Sequence, residues 1–161
     1  MLLSRITTLT LALVAALIII PLSLAADNLH SLRVQTTNID FSLDLEELDA
    51  MPQTEFSTST IWTDEIVHFS GVTLFDLLNN FDIEGTEIEF VAVNDYIATI
   101  PFAEITPEAP LIATRMNGAT MSVRNKGPFW VVYPYDAAMI YRTEVNFTRS
   151  VWQLSALNIS D

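Results

Sequence analysis

Apolar and polar residues alternate in short stretches along most of the chain, as they do in half-buried β-strands. The alternation predicts strands at residues 32–35, 39–43, 54–62, 66–69, 88–93, 96–100, 111–116, 120–123, 128–133 and 150–159. Turn-forming pairs separate two pairs of these strands: Asn94-Asp95, and Asn117-Gly118, which is a type I′ hairpin signal. We expect Gly71 to break the strand that begins at residue 66.

Helical periodicity is confined to a few short segments. Residues 72–81 carry leucines at helical spacing behind Thr73, which suits an N-cap. Residues 44–51 predict an acidic helical turn, and residues 102–105 predict another, directly after Pro101. No repeat or Gly/Ser-rich linker divides the chain. The predicted fold class is therefore α+β: a single compact domain of mainly short β-strands with two or three short helices.

The first 25 residues have the layout of a secretory signal peptide. Arg5 supplies the positive charge, an apolar run follows, and small residues precede a cleavage site after Ala25. An uncleaved membrane anchor is the alternative, because the apolar run approaches the length of a spanning helix. We expect cleavage, a mature domain over residues 26–161 without direct membrane insertion, and a location in the periplasm of a Gram-negative envelope.

Composition narrows the function further. The chain has no cysteine, so neither disulfides nor thiolate chemistry are available. Its formal net charge of −13 argues against nucleic acid and anionic membrane surfaces as partners. Acidic residues dominate as far as residue 104, whereas residues 105–150 hold five of the seven basic ones. These cations either bind a ligand or pair with the acidic half of the chain.

Motifs for catalysis are sparse. His30 and His68 are far apart in sequence, and a structural role is the simpler interpretation of His68 beside Phe69. No nucleophile elbow or phosphate-binding glycine loop is present. Adjacent carboxylates such as Glu46-Glu47 are typical of a solvated face.

The segment from Gly71 to Tyr135 is more informative. It runs from a Gly-Val-Thr-Leu-Phe-Asp-Leu-Leu helix through Asn94-Asp95-Tyr96 and Leu111-Ile-Ala-Thr-Arg-Met-Asn-Gly118 to Arg124-Asn-Lys-Gly-Pro-Phe-Trp-Val-Val-Tyr-Pro134. In this order the motifs resemble the molybdopterin-binding domain of the sulfite oxidase family, over roughly residues 54–157. The resemblance implies a sulfite-oxidase-like molybdopterin-binding fold and a pterin-type cofactor.

One departure from the family is informative. Enzymes of the family bind molybdenum through a cysteine before the glycine helix, where this chain has only serine and threonine over residues 54–62. Hydroxyls are poor replacements for a soft thiolate, so molybdenum is not expected. The chain is more similar to small periplasmic members that bind a metal-free reduced pterin. Those members regulate an inner-membrane signalling protein, through its periplasmic sensor region, that makes or degrades cyclic di-GMP.

Two alternatives stay open. One is a molybdopterin-dependent oxidoreductase of the family that uses an oxygen ligand such as Ser57 or Ser59. The other is an envelope scaffold whose pocket has decayed. Metal content separates the enzyme from the regulator.

A pterin is a flat bicycle with a hydrogen-bonding edge, and it needs aromatic or guanidinium faces and edge partners. Asn94 and Asp95 suit the edge, whereas Trp62, Tyr96 and the planar guanidinium groups suit the faces. Each also has a structural interpretation, as core aromatic, turn former or surface charge. The predicted cofactor-binding residues are Thr60, Trp62, Asn94, Asp95, Tyr96, Arg115, Arg124, Lys126, Gly127 and Pro128. No catalytic residue and no metal ligand is predicted.

Overall fold

The computed structural model describes residues 30–160, so the predicted signal peptide lies outside the described residues. The strands are β1 (Leu32–Gln35), β2 (Asp40–Leu43), β3 (Thr54–Thr58), β4 (Val67–Thr73), β5 (Glu87–Ala92), β6 (Ile97–Pro101), β7 (Leu111–Met116), β8 (Ala119–Thr120), β9 (Trp130–Val132) and β10 (Leu154–Ser160). The α-helices are α1 (Leu45–Asp49), α2 (Leu74–Asn80) and α3 (Glu144–Arg149), and 3₁₀ turns cover Phe102–Glu104 and Val123–Asn125. This confirms the α+β class and the predominance of short strands.

The strands form two five-stranded sheets. The first has the order β2-β1-β10-β5-β6, in which only β1 and β10 run parallel. The second has the order β3-β4-β7-β8, and β9 also pairs with β7. Fully buried side chains from both sheets and from α2 form the core, among them Phe69, Phe90 and Trp130. In the described part of the chain, no helix is long and apolar enough to span a membrane.

Both predicted turns are present. Asn117 and Gly118 have φ values of 51° and 79°, as a type I′ turn between β7 and β8 requires. Asp95 lies between β5 and β6 with a φ of 64°, and its amide donates to the carbonyl of Ala92 at 3.0 Å. Asp95 tolerates this left-handed conformation better than most residues.

The expectation that Gly71 breaks its strand is wrong, because β4 continues through it to Thr73. The ladder between β4 and β7 has an irregularity between Ser70 and Gly71. A Cβ at position 71 would lie 2.1 Å from the carbonyl oxygen of Ile112. This glycine therefore permits a close backbone approach between the two strands.

Two of the helices were predicted. Asp44 caps α1 in a capping box with Glu47, and the Thr73 hydroxyl accepts from the amide of Asp76 at the start of α2. The third α-helix was not predicted: α3 begins after Thr143, whose side chain accepts from the Asn146 amide. The segment after Pro101 is only a 3₁₀ turn.

Four predicted strands are at least two residues shorter than expected, among them β3, which ends at Thr58 instead of residue 62. β10 begins at Leu154 instead of residue 150, because α3 extends to Arg149 and Gln153 has a φ of 50°. β9 is limited to Trp130–Val132, preceded by a cis peptide between Gly127 and Pro128. β8 ends at Thr120, and a 3₁₀ turn begins at Val123, the last residue of the predicted strand.

Candidate functional site

A cavity of about 290 Å³ lies beside the turn between β5 and β6, at the C-terminal end of α3. Its walls are formed by Trp62, Ala92, Asn94, Tyr96, Phe147, Thr148, Ser150, Val151 and Trp152. The structure therefore brings three of the predicted residues to one pocket: Trp62, Asn94 and Tyr96. We refer to this cavity as the aromatic pocket.

Trp62 forms one wall and is held by its neighbours in the loop after β3. The Thr60 hydroxyl accepts from the Trp62 amide at 3.0 Å and contacts the Thr63 hydroxyl at 2.9 Å. The Trp62 ring lies 5.9 Å from Phe147 and 5.7 Å from Trp152, edge to face in both cases. Thr60 does not line the pocket, but its hydrogen bond with the Trp62 amide positions Trp62.

Tyr96 and Asn94 form the opposite wall. The side-chain oxygen of Asn94 accepts from the Tyr96 amide at 3.3 Å, which folds the turn so that both residues face the cavity. The Tyr96 hydroxyl donates to the carbonyl of Thr148 at 2.9 Å. That bond connects the β5–β6 turn to α3 across the pocket.

The third wall comes from α3 and the residues after it, which the sequence analysis missed as site residues. These are Phe147, Thr148, Ser150, Val151 and Trp152. The N-cap pattern from Thr143 to Asn146 is a signal that could have revealed the helix. The alternation of Val151-Trp152-Gln153-Leu154 suggested a strand instead.

The polar groups of the pocket are all uncharged. The hydroxyls of Thr148 and Ser150 donate to helical carbonyls at 2.9 and 2.6 Å, so neither is a free donor. Within residues 30–160, the indole N–H groups of Trp62 and Trp152 have no hydrogen-bond partner, and the amide nitrogen of Asn94 has none either. The arrangement suits a flat, neutral heterocycle that stacks on rings and accepts or donates at its edge.

Arg115 does not line this pocket. Its two terminal nitrogens donate to the two carboxylate oxygens of Asp49 at 2.5 and 2.6 Å, a bidentate pair that joins β7 to α1. Hydrogen bonding to Asp49 raises the pKa of Arg115, so the guanidinium stays charged. Arg115, a predicted cofactor-binding residue, is therefore placed at Asp49 and not at the aromatic pocket.

The other predicted residues of the basic segment lie near the pocket without lining it. The Nζ atom of Lys126 lies 5.6 Å from the centre of the Trp130 ring. Trp130 in turn packs against Trp62. A Cβ on Gly127 would lie 2.0 Å from the carbonyl oxygen of Met121, so this glycine is explained by packing. Arg124 is exposed and has no ion pair among residues 30–160, and Pro128 follows the cis peptide. Asp95 is likewise exposed, outside the pocket wall.

Ser59, one of the two serines considered as metal ligands, belongs to a polar cluster. Its amide and hydroxyl both donate to the Asp136 carboxylate, at 2.5 and 2.8 Å. Arg142 donates to Asp136 at 2.5 Å and also to the Ser59 hydroxyl. The Ser59 amide, followed by Arg142, lowers the pKa of Asp136 to about 2. The cluster joins the Trp62 loop to the loop before α3.

Ser57, the other serine, lies on the exposed face of β3. Its hydroxyl lies 3.3 Å from the Nδ1 atom of His68 on β4, and the Nε2 atom of His68 lies 3.4 Å from the Glu55 carboxylate. In the described residues, no group of three or more His, Asp or Glu side chains could hold a metal ion.

The comparisons with known proteins agree with this architecture. A profile of the oxidoreductase molybdopterin binding domain family matches residues 19–141. The chain belongs to this family. The match confirms the predicted resemblance at the level of a molybdopterin-binding domain, and it ends before the pocket wall that α3 contributes.

A solved structure shows the same fold. The crystal structure of the sulfane dehydrogenase SoxCD from Paracoccus pantotrophus superposes with a TM-score of 0.63 at 16% sequence identity. The alignment covers 84% of this chain and 39% of that one, so this chain spans about two fifths of its length. No curated protein matches the chain.

The two parts of a molybdopterin cofactor place different demands on this site. The aromatic pocket offers what a pterin ring needs, namely ring faces from Trp62, Tyr96 and Trp152 and uncharged edge groups. A thiolate for the metal is not available, because the chain contains no cysteine. The residues present therefore fit the pterin ring, and they do not supply the family's soft metal ligand.

Proposed function

We propose that this protein is a non-catalytic pterin-binding module of the periplasm. In this proposal a reduced, metal-free pterin occupies the aromatic pocket, and its occupancy is relayed to the sensor region of an inner-membrane protein of cyclic di-GMP metabolism. Family membership supports a pterin-type ligand. The signalling role rests on the small-regulator resemblance seen in the sequence.

The observation that carries the proposal is the chemistry of the pocket wall. Four aromatic side chains and one primary amide line it, without any charged residue. Such a wall binds a flat neutral ring by stacking and by hydrogen bonds at its edge. It does not offer acid–base residues for turnover.

The serines support a non-catalytic role. The Ser59 hydroxyl is already bonded to Asp136 and Arg142, so ligation of a metal would disrupt the cluster that joins the two loops. The Ser57 hydroxyl faces His68 on the exposed side of β3, outside the pocket wall. We therefore expect molybdenum to be absent from the working protein.

The family profile itself favours one alternative, an oxidoreductase that carries molybdopterin. Metal analysis of protein purified from the periplasm separates the two functions. Stoichiometric molybdenum would support the enzyme and rule out the regulator. A neighbouring gene for a membrane protein with a periplasmic sensor and cytoplasmic cyclase or phosphodiesterase domains would support the relay.

Binding provides the direct test. We expect a tetrahydropterin to bind the purified protein with a Kd in the micromolar range or tighter, about −8 kcal/mol. Trp152→Ala should weaken binding by about 1–3 kcal/mol, because a stacking face is lost. Isothermal titration calorimetry measures both values.

Phe75→Ala is the matched control for that variant. Phe75 on α2 is 36% exposed, as is Trp152, but it does not line the pocket. Its affinity should equal that of the unmodified protein. Equal affinities for the Trp152 variant and the unmodified protein would show that the ligand binds elsewhere, and no heat with any pterin would refute the pterin-binding proposal.

A further inference from the structure

Strand β2 is an edge of the first sheet. It pairs with β1 on one side, and no other strand of residues 30–160 pairs with it on the other. An open edge presents unpaired N–H and C=O groups to any extended chain that approaches it.

The register between β1 and β2 shows which backbone N–H and C=O groups of β2 are not bonded to β1. The Thr36 amide donates to the Ile39 carbonyl at 2.8 Å, which marks this pair as the hydrogen-bonded end of the hairpin. Because such pairs alternate along an antiparallel ladder, Phe41 and Leu43 bond to β1. The backbone groups of Asp40 and Ser42 therefore point away from β1.

A groove of about 430 Å³ lies directly beside this edge. Phe41 and Leu43 of β2, Ala50 and Met51 after α1, and Phe81 after α2 line it. The rings of Phe41 and Phe81 are in contact, with their centres 4.6 Å apart. In a strand added to β2, the residue opposite Phe41 would project to the same face and enter this groove.

The charge around the groove defines the occupant. Glu47 lines it, and residues 40–49 contain five carboxylates; Asp40 and Asp49 are ion-paired with Arg33 and Arg115, and the other three have no ion pair among residues 30–160. A second copy of the chain would bring two such acidic edges together, and each copy carries a net charge of −13. Like charges placed opposite each other in a sheet are destabilising, so a different, basic chain is the better complement.

We propose that the β2 edge and its groove bind an extended segment of a partner protein in which apolar and basic residues alternate. The segment adds a strand to the first sheet through the backbone of Asp40 and Ser42. Its central apolar side chain packs against Phe41 and Phe81, and the basic side chains on either side of it project to the opposite face of the sheet, where the Asp40 carboxylate lies. This surface is separate from the aromatic pocket and does not depend on pterin binding.

A synthetic peptide tests the surface directly. The probe is Lys-Val-Lys-Phe-Lys-Val-Lys, and its scrambled control is Lys-Lys-Lys-Lys-Val-Phe-Val, which has the same composition without the alternation. We expect at least tenfold tighter binding of the alternating peptide. Its binding should shift the Asp40 and Ser42 amide signals in NMR spectra and protect these amides from hydrogen exchange.

Two variants locate the binding site. Ala50→Arg places a cation in the groove and should lower peptide affinity at least tenfold, whereas Ala119→Arg adds the same charge on exposed β8 and should leave it unchanged. Ser42→Pro removes an outward-pointing N–H and should also weaken binding, with thermal melts confirming that each variant is folded.

Three results would overturn the proposal. One is equal binding of the two peptides, or no binding of either. Another is an unchanged affinity in both Ala50→Arg and Ser42→Pro. The last is self-association of the protein at high salt that Ala50→Arg abolishes, which would make a second copy the occupant. None of these results bears on pterin binding.

Discussion

At the scale of single residues, Arg115 shows why a cation in a ligand-binding motif need not contact a ligand. Its guanidinium forms two hydrogen bonds with Asp49, a residue 66 positions away in the sequence. The distance in sequence hides this pairing, because local pattern gives no information on which strand lies beside which helix. Trp62, Asn94 and Tyr96 line one pocket, and the sequence pointed to them because their own chemistry suits a flat ring.

The first residue-scale prediction concerns that ion pair. Arg115→Ala should lower the free energy of unfolding by about 1 kcal/mol, since the pair is partly exposed and such pairs contribute modestly. Pterin affinity should not change. Denaturant unfolding and calorimetry measure the two effects.

Arg124→Ala is the companion variant. Because Arg124 is exposed and has no ion pair among residues 30–160, its loss should leave stability unchanged. If this variant melts normally but binds pterin less tightly, Arg124 contacts the ligand as the sequence predicts. If Arg115→Ala loses affinity and keeps its stability, our account of the Asp49 pair is wrong.

At the scale of elements, most strands and two helices were predictable because their signals are local. Alternation located the strands, the cap at Thr73 marked the start of α2, and the acidic turn predicted over residues 44–51 located α1. The segment 143–153 was missed although Thr143 offers a local N-cap signal, because the alternation after residue 150 suggested a strand. Contacts with distant elements also hold its short helix, such as the hydrogen bond from the Arg149 side chain to the carbonyl of Thr99. Five of the nine residues that line the aromatic pocket come from this segment.

Gly71 is the other case in which local reasoning failed, because its cause lies in the neighbouring strand. Gly71→Ala should destabilise the fold by about 3 kcal/mol, as the added methyl meets the backbone of Ile112 at 2.1 Å and backbone cannot yield as a side chain can. Thermal or denaturant unfolding measures the loss.

The control for that variant is Gly118→Asn. Position 118 has a φ of 79° and open space around it, and asparagine tolerates this conformation. Its effect should be much smaller. Comparable losses for the two variants would indicate that flexibility, and not the close approach of β4 to β7, explains Gly71.

At the scale of the whole molecule, the fold separates two surfaces of different chemistry. The aromatic pocket lies at the β5–β6 end of the first sheet, whereas the acidic groove lies at its β2 edge. At this scale the sequence predicted the α+β class, the single domain, the molybdopterin-binding family fold and the acidic character of the chain, but not where the two surfaces lie. Both surfaces depend on β10, which is the last strand in the sequence but lies at the centre of that sheet, between β1 and β5.

Asp136 joins the loop that carries Trp62 to the loop before α3. The stability of both loops should therefore depend on the ionisation of this carboxylate. Its pKa in the folded protein is about 2, below the ordinary value of about 4. A lowered pKa stabilises the fold above the unfolded value, and this contribution is lost as pH falls from about 4 through 2. Asp136→Asn should therefore reduce the dependence of stability on pH in that window, measured by denaturant unfolding at several pH values.

The control for that variant is Asp64→Asn, at an exposed position of the loop that carries Trp62, which should keep the dependence of the unmodified protein. If the two variants respond to acid identically, the Ser59–Asp136–Arg142 cluster does not hold the pocket loops together.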